Sequence, residues 1–396
     1  MGRHTVVRRR SRPRIASALV GIAAAAALVA GVAVVAGVAV VGTQPSPAAV
    51  RGAGQPAGRP AEATPPPART TTGPVPVPAR PGAAASDPEI TIAFGGDVHF
   101  TGRVASRVTA GAGADALGPI SGSLAAADLS MVNLESSITD GGTPEPKQFH
   151  FRAPAAALDA LRASGVDVAT MANNHTVDYG SVGLSDTLAA IGSHHLPVVG
   201  IGADASHAYA PWYADVRGTR VAVLGATQIR DRTLSSWTAG ASSPGVASAY
   251  SDRLLAAVRQ ARKDAQVVVV YLHWGEEGRE CPSSAQVTLA RQLAAAGADA
   301  VVGSHAHLLL GAGWLGPTYV GYGLGNFLWW RDNATSNDTG VLTLTFRGRR
   351  VVSEAFTPAR IDPRGVPMPA SGDVAESIHA TLRRVTTCAG LADHPG

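Results

Sequence analysis

Hydrophobic and polar positions divide this chain into three stretches of different rhythm. Residues 15–41 form a run of 27 without a charge, built of Ala, Val, Gly, Leu and Ile with the single polar residue Ser17. Residues 43–87 have few large apolar side chains, and prolines recur in Pro65-Pro66-Pro67 and through 74–78. From Glu89 onward, short apolar runs alternate with helical spacing. Ile90, Ile92 and Phe94 alternate as in a half-buried strand that ends at Gly95-Gly96-Asp97. The pattern predicts a helix over 155–164 stopped by Gly165, then a strand over 166–171. It predicts a helix over 183–193 and strands over 196–200 and 220–225. A helix follows over 252–263 with Asp252 as its cap. Residues 267–272 are continuously apolar, which suits a strand buried on both faces. A helix over 284–296 closes at Gly297, and strands follow over 300–302 and 319–322. Residues 341–346 and 351–356 flank an Arg-Gly-Arg turn as a hairpin, and 374–385 reads as a last helix. No period expected of a solenoid appears.

Charge changes the meaning of the first two stretches. The 396 residues sum to +4, yet residues 1–87 hold ten arginines against two acids, net +8. Residues 88–396 hold 23 bases against 27 acids, net −4, which gives a polyanion nothing to bind and argues against a nucleic-acid partner. Six of the arginines lie within residues 3–14, just before the apolar run. As a helix that run spans about 40 Å, enough for a hydrocarbon core of about 30 Å. The flanking arginines place the N-terminus in the cytoplasm. The expectation is a single-pass signal anchor in the cell membrane, with the main domain extracytoplasmic. The alternative is secretion after cleavage of a signal with an unusually long core. The chain then divides into a basic segment 1–14, a transmembrane helix 15–41, a Pro/Ala-rich linker 42–88, an α/β domain 89–360 and a C-terminal extension 361–396.

The candidate chemistry lies at the strand ends. In order come Asp97-Val98-His99, Glu135, Asn173-Asn174-His175 with Asp178, His273, and His305-Ala306-His307. In an α/β sheet, ligands gather at the carboxyl ends of strands. Carboxylates, imidazoles and a carboxamide converging there suit two divalent metals, with Mn, Fe, Zn and Mg all compatible. Such a pair supports in-line displacement at phosphorus. Each fragment occurs by chance; the serial order after strand-like runs is what carries weight.

That order resembles the calcineurin-like metallophosphoesterase superfamily. The surrounding words are similar to the bacterial capsule-synthesis family, CapA-like, associated with poly-gamma-glutamate biosynthesis. The stretches are Gly96-Asp97, Asn133-Leu134-Glu135, Ala172–His175 with Asp178-Tyr179-Gly180, His273-Trp274-Gly275 with Glu277, Gly303–His307, and Tyr322–Phe327. The resemblance implies a four-layer sandwich, two mixed sheets between helices. It implies one metal on Asp97, His99 and His307 and another on Asn174, His273 and His305. Glu135 stands where the superfamily has a bridging Asp, and is one methylene longer. His175 matches the residue that protonates a leaving group or holds a substrate oxygen, help typically worth 10²–10⁴-fold. Asp178 and Glu277 fit as supports for His175 and His273, and Asn326 as binding or turn chemistry.

Cys281 and Cys388 are the only cysteines. An even count outside the cytoplasm favours a disulfide that staples the C-terminal tail to the loop after His273, worth about 4 kcal/mol in the chain-entropy view. Two free thiols are the alternative. The expected function is a membrane-anchored capsule or poly-gamma-glutamate synthesis protein with a two-metal hydrolytic site acting on an envelope polymer or phosphoester. The competing reading is a non-catalytic polymer-binding or scaffold subunit beside other capsule-synthesis membrane proteins.

Overall fold

The computed structural model describes residues 87–108 and 113–396. The basic segment, the apolar run and the linker up to residue 86 lie outside them. No helix among the described residues is long and apolar enough to cross a membrane.

Two mixed sheets carry the domain. The first is built on β1 (Glu89–Val98), which runs parallel to β2 (Leu129–Leu134); β3 (Val168–Thr170) and β4 (Val198–Val199) continue that side in parallel. The second contains β5 (Trp212–Val216), β6 (Thr219–Thr227), β7 (Val267–Trp274), β8 (Ala300–His305), β9 (Ala312–Leu315) and β10 (Thr318–Gly321) in the order β9-β10-β8-β7-β6-β5. The chain then returns to the first sheet. β11 (Asn326–Leu328) pairs with the end of β1 on the side away from β2, and the long hairpin β12 (Asp338–Arg347) and β13 (Arg350–Ile361) lies antiparallel along that same side, edged by β14 (Pro367–Pro369).

Side-chain alternation explains the layering. Ile90, Ile92 and Phe94 of β1 point between the sheets, where they share a core with Val267, Val269 and Tyr271 of β7. The intervening residues of β7, Val268, Val270 and Leu272, turn outward to α4 (Asp252–Asp264) and α5 (Ser284–Ala296), meeting Leu254, Val258, Leu289 and Leu293. This is why residues 267–272 show no polar alternation: both faces are buried. On the far side, Ala93 and Val132 pack under Leu124 of α1 (Ser121–Ala125), Leu158 and Leu161 of α2 (Ala156–Ala163) and Leu184 of α3 (Gly180–Ser193). Helices, sheet, sheet and helices make four layers.

Local chemistry sets the boundaries. The 252–263 helix is capped by Ser251, whose hydroxyl accepts the Arg253 N–H at 3.3 Å, and not by Asp252, which stands in the first turn. Ser283 and Gln286 form a reciprocal capping box at the start of α5, and Gly297 ends it with a φ of 109°. The predicted 166–171 strand shortens to Val168–Thr170, because pairing with β2 covers only those residues. The last helix, α6, spans Gly372–Thr386. A disulfide joins Cys281 to Cys388, just beyond α6, beside an ion pair between Arg384 and Glu280.

Candidate metal centre

Strand register builds the site. Asp97, near the end of β1, is level with Asn133 on β2 and Asn326 on β11. His273 on β7 is level with Ser304 on β8, and Trp274 with His305. All these side chains therefore sit at one end of the sandwich. Gly96 makes the close approach possible: a Cβ there would lie 2.0 Å from the Gly325 carbonyl oxygen.

At the centre stands a carboxylate that no hydrogen-bond donor satisfies. The His273 Nε2 lies 2.7 Å from Asn174 Oδ1, 3.0 Å from His305 Nδ1 and 3.5 Å from Glu135 Oε1. Glu135 is fully buried, and neither carboxylate oxygen has a hydrogen-bond partner. A buried carboxylate with no partner costs several kcal/mol, so this arrangement asks for a cation. Donor atoms of Glu135, His273 and His305 lie within 4.8 Å of one another; so do those of Asp97, Glu135 and His307, and of Glu277, His305 and His307. Glu135 belongs to the first two groups, the position a bridging ligand occupies. The residues present therefore fit divalent cations. Asn326 Oδ1 is a further buried oxygen without a partner.

Electrostatics agrees with ligand duty. Burial pushes His273 down to about 4, so its ring is neutral at neutral pH. Burial, then the neighbouring His273, also lowers His305. Burial alone would raise Asp97, but the His307 contact and the charges of His273 and His307 hold it below the usual carboxylate range. Burial raises Glu135, and the Asp97 carboxylate adds to it. His307 rises despite its burial, through the Asp97 contact at 3.4 Å. His305 and His307 hold φ values of 100° and 57°, a left-handed backbone that costs a non-glycine residue about 1–3 kcal/mol.

His175 stands beside this cluster. Its Nδ1 lies 2.6 Å from Asp178 Oδ2, and its Nε2 lies 3.8 Å from Glu135 Oε1. Lys147 holds the other Asp178 oxygen at 2.6 Å. Burial pushes Asp178 up to about 6 against that ammonium. Burial, then Lys147, keeps His175 neutral.

The structure brings His99 into none of the three ligand groups. Thr101 N–H points at its Nδ1 at 3.0 Å and Trp330 N–H at its Nε2 at 3.2 Å. A neutral ring has one lone pair, so two backbone donors compete for it and none is left for a cation. Phe151 stacks on His99 at 4.4 Å and on His175 at 4.0 Å, and Trp329 meets the His99 ring edge-on. Glu277 is exposed, borders His305 and His307, and hydrogen bonding ties it to neither. Among the described residues a pocket of about 360 Å³ opens over the cluster, lined by Phe149, His175, His307, Asn326, Trp329 and Trp330 among others.

Sequence reasoning gave no role to Asn133, Asn173, Lys147, Phe151 or Trp329. Asn133 donates to Asp97 at 2.7 Å, and Asn173 donates to Asn133 at 3.0 Å. Their place within the motif words was the available signal. Lys147 and Phe151 lie in an irregular loop with no periodicity to mark them.

Comparison with known proteins agrees with this geometry. Residues 91–329 match the family described as bacterial capsule synthesis protein PGA_cap. The chain is similar to the PGA biosynthesis protein CapA of Bacillus subtilis, 31% identical over 264 residues, covering 65% of this chain and 68% of that protein. It is also similar to the capsule biosynthesis protein CapA of Bacillus anthracis, 33% identical over 227 residues, covering 56% of this chain and 54% of that one. A solved structure of a phosphatase from Mycoplasma pneumoniae is 14% identical, with a TM-score of 0.44, and covers 70% of this chain and 96% of that one. The family match over residues 91–329 and the similarity to the two CapA proteins show that the chain belongs to the bacterial capsule synthesis family.

Proposed function

We propose that this protein is a membrane-anchored, extracytoplasmic member of the capsule or poly-gamma-glutamate synthesis machinery with a two-cation hydrolytic site. The observation that carries the reading is the unpartnered Glu135 carboxylate at the meeting point of Asp97, Asn174, His273, His305 and His307. One cation would be held by Glu135, Asn174, His273 and His305, the other by Asp97, Glu135 and His307. Divalent cations held there supply Lewis-acid polarisation of an ester oxygen and acidify water at neutral pH.

The protein's own groups do the rest. Asp178, fixed by Lys147, sets the His175 ring so that Nδ1–H points at the carboxylate and Nε2 faces the pocket. In its neutral state His175 accepts a proton before it gives one. Phe151 locks the ring plane. Trp329, tilted on His307 at 4.5 Å, shields the ligands from bulk water on that side. The substrate is a phosphoester or, by a longer step, an amide of an envelope polymer. The anchor is residues 15–41, read from their uncharged length.

The test uses the full chain in detergent. Metal content is measured, and phosphomonoesters and phosphodiesters are assayed with added Mn²⁺. Bound metal with turnover that falls in His175→Ala supports the reading. Bound metal without turnover on any ester transfers the protein to the scaffold reading, in which the site holds the fold or a polymer. Absence of a titratable metal site removes the two-cation idea.

A further inference from the structure

The pocket over the metal centre carries a charge to which hydrolysis at the cations gives no task. Arg331 is exposed on its rim, and among the residues that line the pocket it is the one lysine or arginine. Its guanidinium sits in the corner of two half-buried rings, 4.3 Å from the centre of Phe149 and 4.9 Å from that of Trp330. Among the described residues, no oxygen takes any of its five N–H donors. Glu277, the single acid in the lining, makes no ion pair with it.

The backbone under this arginine is fixed. One guanidinium, that of Arg103, donates to the carbonyls of Arg331 at 2.6 Å, Pro363 at 2.6 Å and Trp329 at 3.4 Å. The Trp329 N–H donates to the Gly365 carbonyl at 3.0 Å. A guanidinium already stacked on rings has less freedom to lose on binding, and its planar fork matches the oxygen pair of a carboxylate or a phosphate. The rings also connect it to the reacting end of the pocket. Phe151 lies 6.1 Å from Trp330 and 4.0 Å from His175, so the guanidinium stands two rings along the wall from His175. Two rings between them leave room for a second group of a ligand beside the one that His175 meets.

We propose that Arg331 determines specificity in this pocket by taking a second acid group of the substrate, a carboxylate or a phosphate carried a few bonds beyond the reacting one. The substrate class is then a compound with at least two acid groups, and not an isolated ester. This rests on the phosphoester reading of the metal centre and adds to it the chemistry of the substrate's far end.

The full chain in detergent, with metal content measured on the same sample, is titrated calorimetrically with three non-hydrolysable probes. These are 6-hydroxyhexylphosphonate, 6-phosphonohexanoate and hexane-1,6-diyl bisphosphonate. The expected result is that at least one diacid binds at least about tenfold tighter than the hydroxyl probe, the tighter diacid naming carboxylate or phosphate as the second group. In Arg331→Gln, a change at an exposed position, that preference disappears while metal content stays the same. Three outcomes overturn the proposal: equal affinity for all three probes, no binding of any up to about 10 mM, or a preference that survives in Arg331→Gln. Metal analysis and ester assays separate its fate from that of the reading it rests on. Bound metal with a diacid preference and no turnover removes hydrolysis alone. Turnover without a diacid preference removes the role of Arg331 alone, and a chain without bound metal removes both.

Discussion

The floor of the metal centre and its aromatic wall use the same side chain for opposite ends. On the floor, His273, His305 and Asn174 bring ring nitrogens and an amide oxygen to within reach of Glu135, and nothing in the protein satisfies the Glu135 carboxylate. In the wall, His99 follows Asp97 by two residues and is equally buried, yet backbone N–H groups face both its nitrogens and aromatic rings enclose it. A histidine is a ligand when the chain around it leaves a nitrogen free. Spacing in sequence does not report that; the neighbouring backbone does.

The largest effect is expected at the shared carboxylate. Glu135→Gln keeps the shape and removes the charge that serves both cation groups. Metal content measured by mass spectrometry should fall to near zero, and hydrolysis with it. Retention of both ions would place the bridge elsewhere. Next is His175→Ala, which stands between floor and wall. Turnover should drop about 10²–10⁴-fold with metal content unchanged.

Acid should separate the two cation groups, because a ligand imidazole must be neutral to bind. Burial holds His273 down to about 4, so this imidazole of the Glu135–Asn174–His273–His305 group stays neutral until the pH falls through that region. His307 is raised, its Asp97 contact outweighing its burial, and is protonated at higher pH. Metal stoichiometry followed downward from neutral pH should therefore fall in two steps, the Asp97–Glu135–His307 ion leaving first. A single step would mean that the groups act as one.

The smallest effect is expected in the wall. His99→Phe keeps the stacking on Phe151 and removes the one lone pair for which the Thr101 and Trp330 amides compete. Metal stoichiometry should stay the same and the melting temperature should fall by a few degrees, since a buried hydrogen bond is worth about 1 kcal/mol. Loss of one ion would return His99 to the ligand set.

Much of this was legible in the chain. Continuous apolarity over 267–272 announced a strand covered on both faces, and alternation at Ile90, Ile92 and Phe94 announced one face of another. The ligand-bearing residues were legible because they follow strands whose ends converge. The wall was not: Phe151 comes from a loop and Trp329 from beyond a three-residue strand, and only tertiary pairing brings them to His99. Lys147 was hidden for the same reason, although its ion pair with Asp178 fixes His175. The Ser251 cap shows a smaller limit, since Ser-Asp offers two capping side chains and the backbone selects the first.

The left-handed backbone at His305 and His307 has a consequence for how such a site would decay. Glycine is the residue that adopts those angles freely, and other side chains there carry a conformational cost, smallest for Asn and Asp. A lineage that ceased to need the cations would become more stable with each drift to glycine at these two positions. Tolerance of the strained histidines thus depends on use, and their state in a descendant chain would tell whether its centre still works.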